Sequence, residues 1–355
     1  MAYEHSKNRP LLGVDLSSAA VKTLELSRRG SRFKVESYAV EPLPDGVMVD
    51  DEVRDPVAVG AALARCVKRS GTKLRRCAMA MPSTAVFTKV ITMPASLGPK
   101  ELEGQVFVEI DQHIPYALED VNLDFETLRR NAKNPELLDI LVVASRRENV
   151  SLRESVADHA KLELDILDVE AFAIQGAAER MIEQIPGLDQ NALVAVIDAG
   201  ASATSIYVMS LSEGVVFTRE QTFGGRMLTE EIMRRYELSY QQAGAAKMTG
   251  DLPADYIPAV LDPFRQGLVD QVQRLLQFFF LQQATATVAH ILIGGGCAAI
   301  PGVDDQIEQA TGTPVSIANP FRGMTLSGRV NKTRFANDAP ALMTCAGLAL
   351  RGSAV

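Results

Sequence analysis

The chain has 355 residues, 47% of them hydrophobic and 23% charged, with a formal net charge of −8. This is the make-up of a folded protein and speaks against a dedicated nucleic-acid binder, whose affinity comes from neutralising phosphates. The length allows two or three domains. Cys66, Cys77, Cys297 and Cys345 show neither a CxxC pair nor metal-ligand spacing, so reduced thiols are expected. No apolar run approaches the roughly 18 residues of a membrane span. The opening MAYEHSKNRP is too polar for a secretory signal, and a cytoplasmic chain is expected.

In chain order, residues 11–26 (LLGVDLSSAAVKTLEL) and 31–40 alternate as a strand meander does. DPVAVGAALARCVKR then carries a helical period, with Asp55 as N-cap, Pro56 at the first helical position and Gly71 just past the end. Arg65 to Arg76, RCVKRSGTKLRR, holds six basic residues and no acid. It is either the solvated last turn of that helix or a dock for an acidic partner or anionic lipid. From Met81 the texture changes. STAVFTKVITMP reads as a strand, and PKELEGQVFVEIDQHIP as an amphipathic helix with Leu102, Val106, Ile110 and Ile114 at four-residue steps, ended by Pro115. LLDILVVAS is a buried strand and RENVSLRESVADHAKL a helix, so 83–165 is expected to be an inserted α+β subdomain. LDILDVEAFAIQGAAERMI resumes strand then helix. NALVAVIDAGASATSIYVMSL and GVVFTREQTFGG form a second meander. A helical block follows from Arg226 to about Gln283, in which Phe264, Leu268, Val272, Leu275 and Phe279 read as a packing stripe. AHILIGGGCAAIPGVDDQIEQATG closes as strand, turn and helix, which makes the architecture α/β throughout.

An internal repeat gives these elements a function. VDLSSAAVKTLEL (14–26) lies over IDAGASATSIYVM (197–209), with Asp15 on Asp198, Ser17 on Gly200 and Val21 on Thr204. Each copy puts an aspartate at the end of an apolar strand, then a turn of small residues, then a second strand. Two such units facing one another across a cleft suit a nucleotide. Backbone amides of a tight turn accept phosphate oxygens, and an aspartate from each half suits Mg²⁺, which takes one or two carboxylates and keeps waters and phosphates as its other ligands. Lys22 can aim an ammonium at the β-phosphate. Nothing matches GxxxxGK[ST], so this is not a P-loop. Gly294, Gly295 and Gly296, after a strand and before a helix, allow close approach of a base or ribose.

In these three motifs, GVDLSSAAVKTLEL, IDAGASATSIYV and LIGGGCAAIPGV, the chain resembles the actin-like ATPase superfamily that includes actin, heat-shock chaperone ATPases and sugar kinases. LDVEAFAIQGAA (167–178) and APALMTCAGLAL (339–350) sit where that superfamily has its two connecting helices. The subdomain after MAMPS is similar to that of the FtsA-like branch. ITMPASLGPKELEGQVFVEIDQHIPY and LVVASRRENV most closely resemble the PilM family of type IV pilus assembly.

The resemblance implies two ribonuclease-H-like, actin-like halves around a nucleotide cleft with an inserted subdomain of the 1C type. It places core subdomain 1A at 11–82, 166–192 and 335–355, subdomain 1C at 83–165, core subdomain 2A at 193–226 and 284–334, and helical subdomain 2B at 227–283. Asp15 and Asp198 would contact Mg²⁺ through water. Ser17, Ser18, Lys22, Gly200, Ala201 and Thr204 would line the phosphates, Gly13 belongs to the same nucleotide-binding set, Gly224 and Gly225 open the helical subdomain, and Gly294–Gly296 meet the adenosine. Glu231 either reaches the ribose or is an exposed first-turn acid. Glu170 or Gln175 would orient the water for any hydrolysis, and either can equally be an inert helix residue. His5, His113, His159 and His290 are scattered and suggest no site.

The resemblance further implies an ATP-binding adaptor with at most weak ATPase activity, at the inner face of the cytoplasmic membrane and associated with it indirectly. It would bind the N-terminal cytoplasmic peptide of the inner-membrane protein PilN, in a groove between 1A and 1C to which Phe87, Val90, Ile91, Val106 and Ile110 are assigned. It would link that complex to the motor ATPases, and a homodimer or oligomer is open. Two alternatives stand beside it. A sugar or acid kinase needs a general base at an acceptor hydroxyl, which no segment supplies visibly. A filament-forming division protein of the FtsA kind carries a C-terminal amphipathic helix, and this sequence ends at LRGSAV.

Overall fold

The computed structural model describes residues 10–49 and 51–352. His5, the polar segment before Pro10 and the last three residues of LRGSAV lie outside the described residues. Two sheets organise the chain. The first runs in the order Glu163–Val169, Arg76–Met81, Leu12–Leu16, Ala20–Arg29, Arg32–Pro42, Thr325–Leu326. The second runs Gly214–Gln221, Thr204–Ser210, Leu193–Ala199, Val288–Gly294, Val315–Ile317. Each begins with a three-strand antiparallel meander and then adds parallel strands beside the first strand of that meander. The repeat seen in the sequence is therefore a repeat of topology, and the α/β fold of two actin-like halves is observed.

Local chemistry explains the helices. Pro56–Ser70 starts at Asp55, whose side chain accepts from the Ala58 amide at 2.9 Å, and stops at Gly71 with φ 70°. Its Val59, Leu63 and Cys66 face packs with Leu12, Val14 and Val21 on one side of the first sheet. The helices Glu170–Ile182 and Met343–Arg351 fill the space between the two sheets. Ile174, Ala178 and Met181 of the former pack with Val194, Val196 and Tyr207 of the second sheet. The latter lies on Leu12–Leu16 and packs against Glu170–Ile182. The stripe Phe264–Leu268–Val272–Leu275–Phe279 is buried against the other face of the second sheet.

The cations of Arg65–Arg76 divide. Arg65 and Arg69 pair with Glu41, and Arg76 with Asp165, as a solvated helix end does.

Two expected boundaries shift. The helix Arg147–His159 packs against Pro56–Ser70, burying Val156 and Ala157 in the first core, and Glu163–Val169 joins the first sheet. The inserted subdomain therefore ends at Arg146 rather than 165. Likewise 321–334, expected in the second half, returns to the first. Thr325–Leu326 pairs with Lys34–Val35, and Phe321 and Val330 pack with Leu24, Leu26 and Phe335.

The inserted subdomain is a three-stranded antiparallel sheet in the order Val86–Pro94, Leu137–Arg146, Val121–Arg130, covered by the helix Pro99–Asp111. The strand Val121–Arg130 was not expected. Its inward residues are only Val121, Leu123 and Phe125, and its outer half is exposed, so the alternation is short and faint.

Candidate functional site

Asp15 and Asp198 each occupy the penultimate position of their strand, Leu12–Leu16 and Leu193–Ala199. The turns that follow close identically. The Ser17 amide donates to Ala20 O at 3.1 Å, and the Gly200 amide to Ala203 O at 2.9 Å, at equivalent places in the repeat. Ser17 also ties its hydroxyl to Ala20 O at 2.9 Å. The two turns meet: Ser202 Oγ donates to Ser18 Oγ at 2.7 Å. This places the two aspartates on opposite sides of one cleft.

Lys22 is directly opposite Asp15 in strand register, and its Nζ donates to Asp15 Oδ2 at 2.8 Å. Burial pulls the Lys22 ammonium down, but the charge and hydrogen bond of Asp15, with Asp198 behind it, outweigh this and leave it above its ordinary value. The acids face the opposite pressure. Burial first, then the charges of Asp15 and Glu220 against the relief from Lys22, push Asp198 up to about 6. Burial, with Glu220, Asp15 and Asp198, pushes Asp51 up to about 6. Glu170, at the start of its connecting helix, is raised well above the carboxylate range by burial and then by Asp198, Asp15 and Asp51. Five carboxylates, Asp15, Asp51, Glu170, Asp198 and Glu220, thus act on one another here, and Lys22 pairs with Asp15 and offsets Asp198.

Such an excess of hard oxygen donors fits a divalent cation carried with phosphates. Among the described residues, no three His, Cys, Asp or Glu come close enough to hold a metal ion unaided.

The glycine turn supports this cleft. Gly295 has φ 81°, and a Cβ there would lie 2.3 Å from Ala199 O and 2.4 Å from Asp198 Oδ1, so only glycine lets this turn cross the second aspartate. Gly294 pairs in register with Asp198, and Gly296 begins a short 3₁₀ turn with open space where a side chain would stand.

Several expected roles change. Thr204 is 0% exposed and its hydroxyl donates to Phe223 O at 2.7 Å. It anchors the approach to the Gly224–Gly225 turn rather than a phosphate. That turn is fastened to the second phosphate turn, with the Gly225 amide donating to Gly200 O at 3.0 Å and the Arg226 amide to Ala201 O at 2.8 Å. Gly13 is buried under the helix Met343–Arg351, where a Cβ would stand 2.3 Å from Cys345 O, so its smallness serves helix packing. Glu231 is held by a two-toothed ion pair with Arg234 at 2.6 and 2.8 Å, the arrangement of an exposed helix acid. Gln175 accepts from the Val215 amide and donates to Glu179, at the far end of the second sheet from Asp198. It is a strut, and Glu170 is the member of that pair that faces the cleft.

Of the groove residues, Ile91 is buried and Val106 and Ile110 are 0% exposed in the core of the inserted subdomain, closed to any peptide. Phe87 is partly buried, while Val90 is 52% exposed. Both lie on Val86–Pro94, which is an edge strand.

The sequence reading missed Lys247. Its Nζ donates to Thr229 Oγ1 at 2.8 Å and Gly225 O at 3.3 Å, and burial holds its pKa down. A half-buried cation bonded, among the described residues, to neutral oxygens at the double-glycine turn is suited to an anionic or hydroxyl-rich ligand. The signal was a lone lysine among small residues in YQQAGAAKMTG.

A second cross-cleft contact is the ion pair of Arg226 with Asp45, from opposite halves. Asp45→Ala is expected to speed nucleotide association and release by about twofold to fivefold with melting unchanged, since an exposed pair is worth at most about 1 kcal/mol. Stopped-flow fluorescence with a labelled ATP checks this; unchanged rates would mean that the pair does not gate the cleft.

Comparison with known proteins agrees with this geometry. The structure is similar to that described as the PilM–PilN type IV pilus biogenesis complex, with 25% identity, TM-score 0.80, and 98% of this chain and 100% of that one covered. It is more distantly similar to the ethanolamine utilization protein EutJ from Carboxydothermus hydrogenoformans, with 17% identity, TM-score 0.56, and 96% and 89% of the two chains covered. Residues 13–353 match the family described as type IV pilus assembly protein PilM, and the chain belongs to that family.

Proposed function

We propose that this protein is an ATP-binding adaptor of type IV pilus assembly that holds Mg·ATP between its two halves and captures the N-terminal cytoplasmic tail of a PilN-type inner-membrane protein. The duplicated strand and turn that set Asp15 and Asp198 across one cleft, with Lys22 between them, carry the nucleotide half of this reading. Asp15 and Asp198 would hold the Mg²⁺ through water, the turns at Ser17–Ser18 and Gly200–Ala201 would meet the phosphates, and Gly294–Gly296 with Lys247 would flank the nucleoside. When bound, Mg²⁺ supplies charge neutralisation for the phosphates. The raised Glu170 can hold a proton or orient a water, and it stands alone in that role, which suits slow turnover.

Membership of the family and the likeness to a PilM–PilN complex support the peptide half. The free edge of Val86–Pro94, with Val90 outward, offers backbone groups and an apolar contact to an extended tail. Among the described residues no helix is long and apolar enough to cross a membrane, so membrane attachment would come through the captured tail, on the cytoplasmic side. The adaptor would pass that attachment to the motor ATPases. Fluorescence anisotropy with a labelled peptide of the PilN-type N-terminus tests it. Saturable binding that Val90→Asp weakens about tenfold is expected, as an unpaired charge in an apolar contact removes a kcal/mol or more. No binding to the wild-type protein would refute the peptide half.

A further inference from the structure

The ion pairs of residues 65–76 leave half of that basic segment unused. Arg65, Arg69 and Arg76 have carboxylate partners, whereas Lys68, Lys73 and Arg75 form no ion pair among the described residues. Lys161 and Arg329 are alike in this, and all five side chains are exposed. Strand register gathers them at one end of the first sheet. Residues 71–75 run into Arg76–Met81, Lys161 stands just before Glu163–Val169, and Glu163 lies opposite Arg76. Leu12, at the start of its strand, pairs with both Cys77 and Glu25, and Arg329 follows the strand that pairs with Lys34–Val35. Asp15 and the departure of the insertion after Met81 lie at the other end, about 17 Å away along Arg76–Met81.

Two concavities flank Gly71 there. One, of about 430 Å³, is lined by Lys68, Arg75 and Lys161 around Ala64, Val67 and Ala160, and no carboxylate lines it. Val67 and Ala160 are core residues, each 8% exposed, so they form an apolar floor beneath a cationic rim. The other, of about 400 Å³, brings Lys34, Lys73 and Arg329 to Glu25 and Glu36. Those two acids already have partners: Glu36 accepts from Lys34 at 2.9 Å and Ser27 at 2.7 Å, and Glu25 from Ser37 at 3.0 Å.

Helix ends do not account for this charge. Pro56–Ser70 and Arg147–His159 both terminate here, and each C-terminal dipole equals about half a negative charge. Together they offset about one of the cations. Lys161 moreover has φ 58°, in the position just past a helix where glycine costs least. The chain keeps a lysine in a disfavoured backbone at this rim although its formal net charge is −8.

We propose that this end of the first half docks an acidic segment of a partner protein that also carries apolar side chains. Its carboxylates meet Lys68, Arg75 and Lys161, and an apolar residue between them covers Val67 and Ala160. A lipid surface fits less well. A flat bilayer does not enter a concavity, and Glu25 and Glu36 oppose an anionic leaflet. This site goes beyond the nucleotide and tail-binding reading and stands apart from both.

Fluorescence anisotropy of the full chain with a labelled peptide of Glu-Glu-Leu repeats tests it. Saturable binding that weakens as salt rises is expected, with oligoglutamate of equal charge bound about threefold or more weakly for want of the apolar contact. Lys68→Glu with Lys161→Glu is expected to weaken the peptide about tenfold or more, and Lys68→Gln with Lys161→Gln about threefold or more. Lys133→Glu, at an exposed cation of the inserted subdomain, is expected to change it less than about twofold. Both double variants replace exposed side chains, so thermal melts close to wild type are expected and show that the loss is local. No binding by the wild type, or full binding by both double variants, would overturn the proposal. Equal binding of oligoglutamate would overturn the apolar part of it. Phosphatidylglycerol vesicles that sediment the wild type and not the double variants, with the peptide unbound, would assign this face to a membrane and overturn it too.

Discussion

Asparagine at position 198 is expected to remove magnesium-dependent ATP binding and, at the same time, to make the free protein more stable at neutral pH. The Asp198 carboxyl is pushed from 3.8 up to about 6, chiefly by burial. The native state therefore holds this proton more tightly than the unfolded chain does. Stability from this group is full below pH 4 and is lost as pH rises through about 6, by an amount on the order of 3 kcal/mol at pH 7. Asp51 adds a loss of the same sign over the same window, from burial and then from Glu220, Asp15 and Asp198. The free cleft is thus strained by the charges it keeps for a ligand, which is a familiar trade between stability and function.

On the proposed function, Mg²⁺ with nucleotide would relieve the strain by taking the place of the protons, so affinity should weaken as pH falls through 6. Asp198→Asn should melt a few degrees higher than wild type at pH 7.5, melt about equally at pH 4, and bind Mg·ATP at least about 100-fold more weakly, a loss of nearly 3 kcal/mol. Thermal melts at the two pH values, with and without Mg·ATP, read both effects. A variant that is no more stable than wild type and still gains stability from Mg·ATP would show that Asp198 is not the second metal-facing acid.

The second large effect concerns the seam between the halves. Gly347 in the helix Met343–Arg351 crosses Glu170–Ile182 so closely that a Cβ would lie 1.7 Å from Ala173 O and 2.4 Å from Ala173 C. Both are backbone atoms, so no side-chain rotation relieves the clash. Gly347→Ala must push the two connecting helices apart, and with them the sheets they separate. It is expected to cost more than about 4 kcal/mol, at the far end of single-residue effects. Gly176 on the crossing partner is the control. A Cβ there meets nothing within 4 Å, and Gly176→Ala should stabilise by up to about 1 kcal/mol through helix propensity alone. Denaturant unfolding of both variants tests this. Equal stabilities would mean that the helices slide freely past one another.

The two aspartate turns were legible in the sequence because each is a local pattern. An apolar strand, an aspartate one residue before its end and a turn of small residues is a local pattern, and it occurs twice. The roles of Thr204 and Gly13 were not legible, because each depends on what packs above it. Thr204 lies over Val21 of the first copy, which is itself buried in the first core, and Phe223 O accepts from its hydroxyl. Gly13 lies beside Asp15 in the motif, yet it is the Cys345 carbonyl that needs its smallness. The same limit applies to Val106 and Ile110. Their helical spacing identified an apolar face correctly, but spacing does not say whether that face meets the subdomain's own sheet or a partner, and it meets the sheet. Boundaries failed where the chain returns to an earlier element, since nothing in 147–159 or 321–334 names the distant surface it will join. Lys247 is not legible for the related reason that it is a single polar residue whose setting, the Gly225 carbonyl and the Thr229 hydroxyl, comes from another helix.

On the proposed function the two halves close on one Mg-bound nucleotide held between Asp15 and Asp198. Isothermal titration of the wild-type chain with ATP, in magnesium and then in excess chelator, tests it most directly. One nucleotide bound per chain, with affinity lost when magnesium is removed, is the expected result. Absence of binding in magnesium, or binding indifferent to its removal, would contradict it.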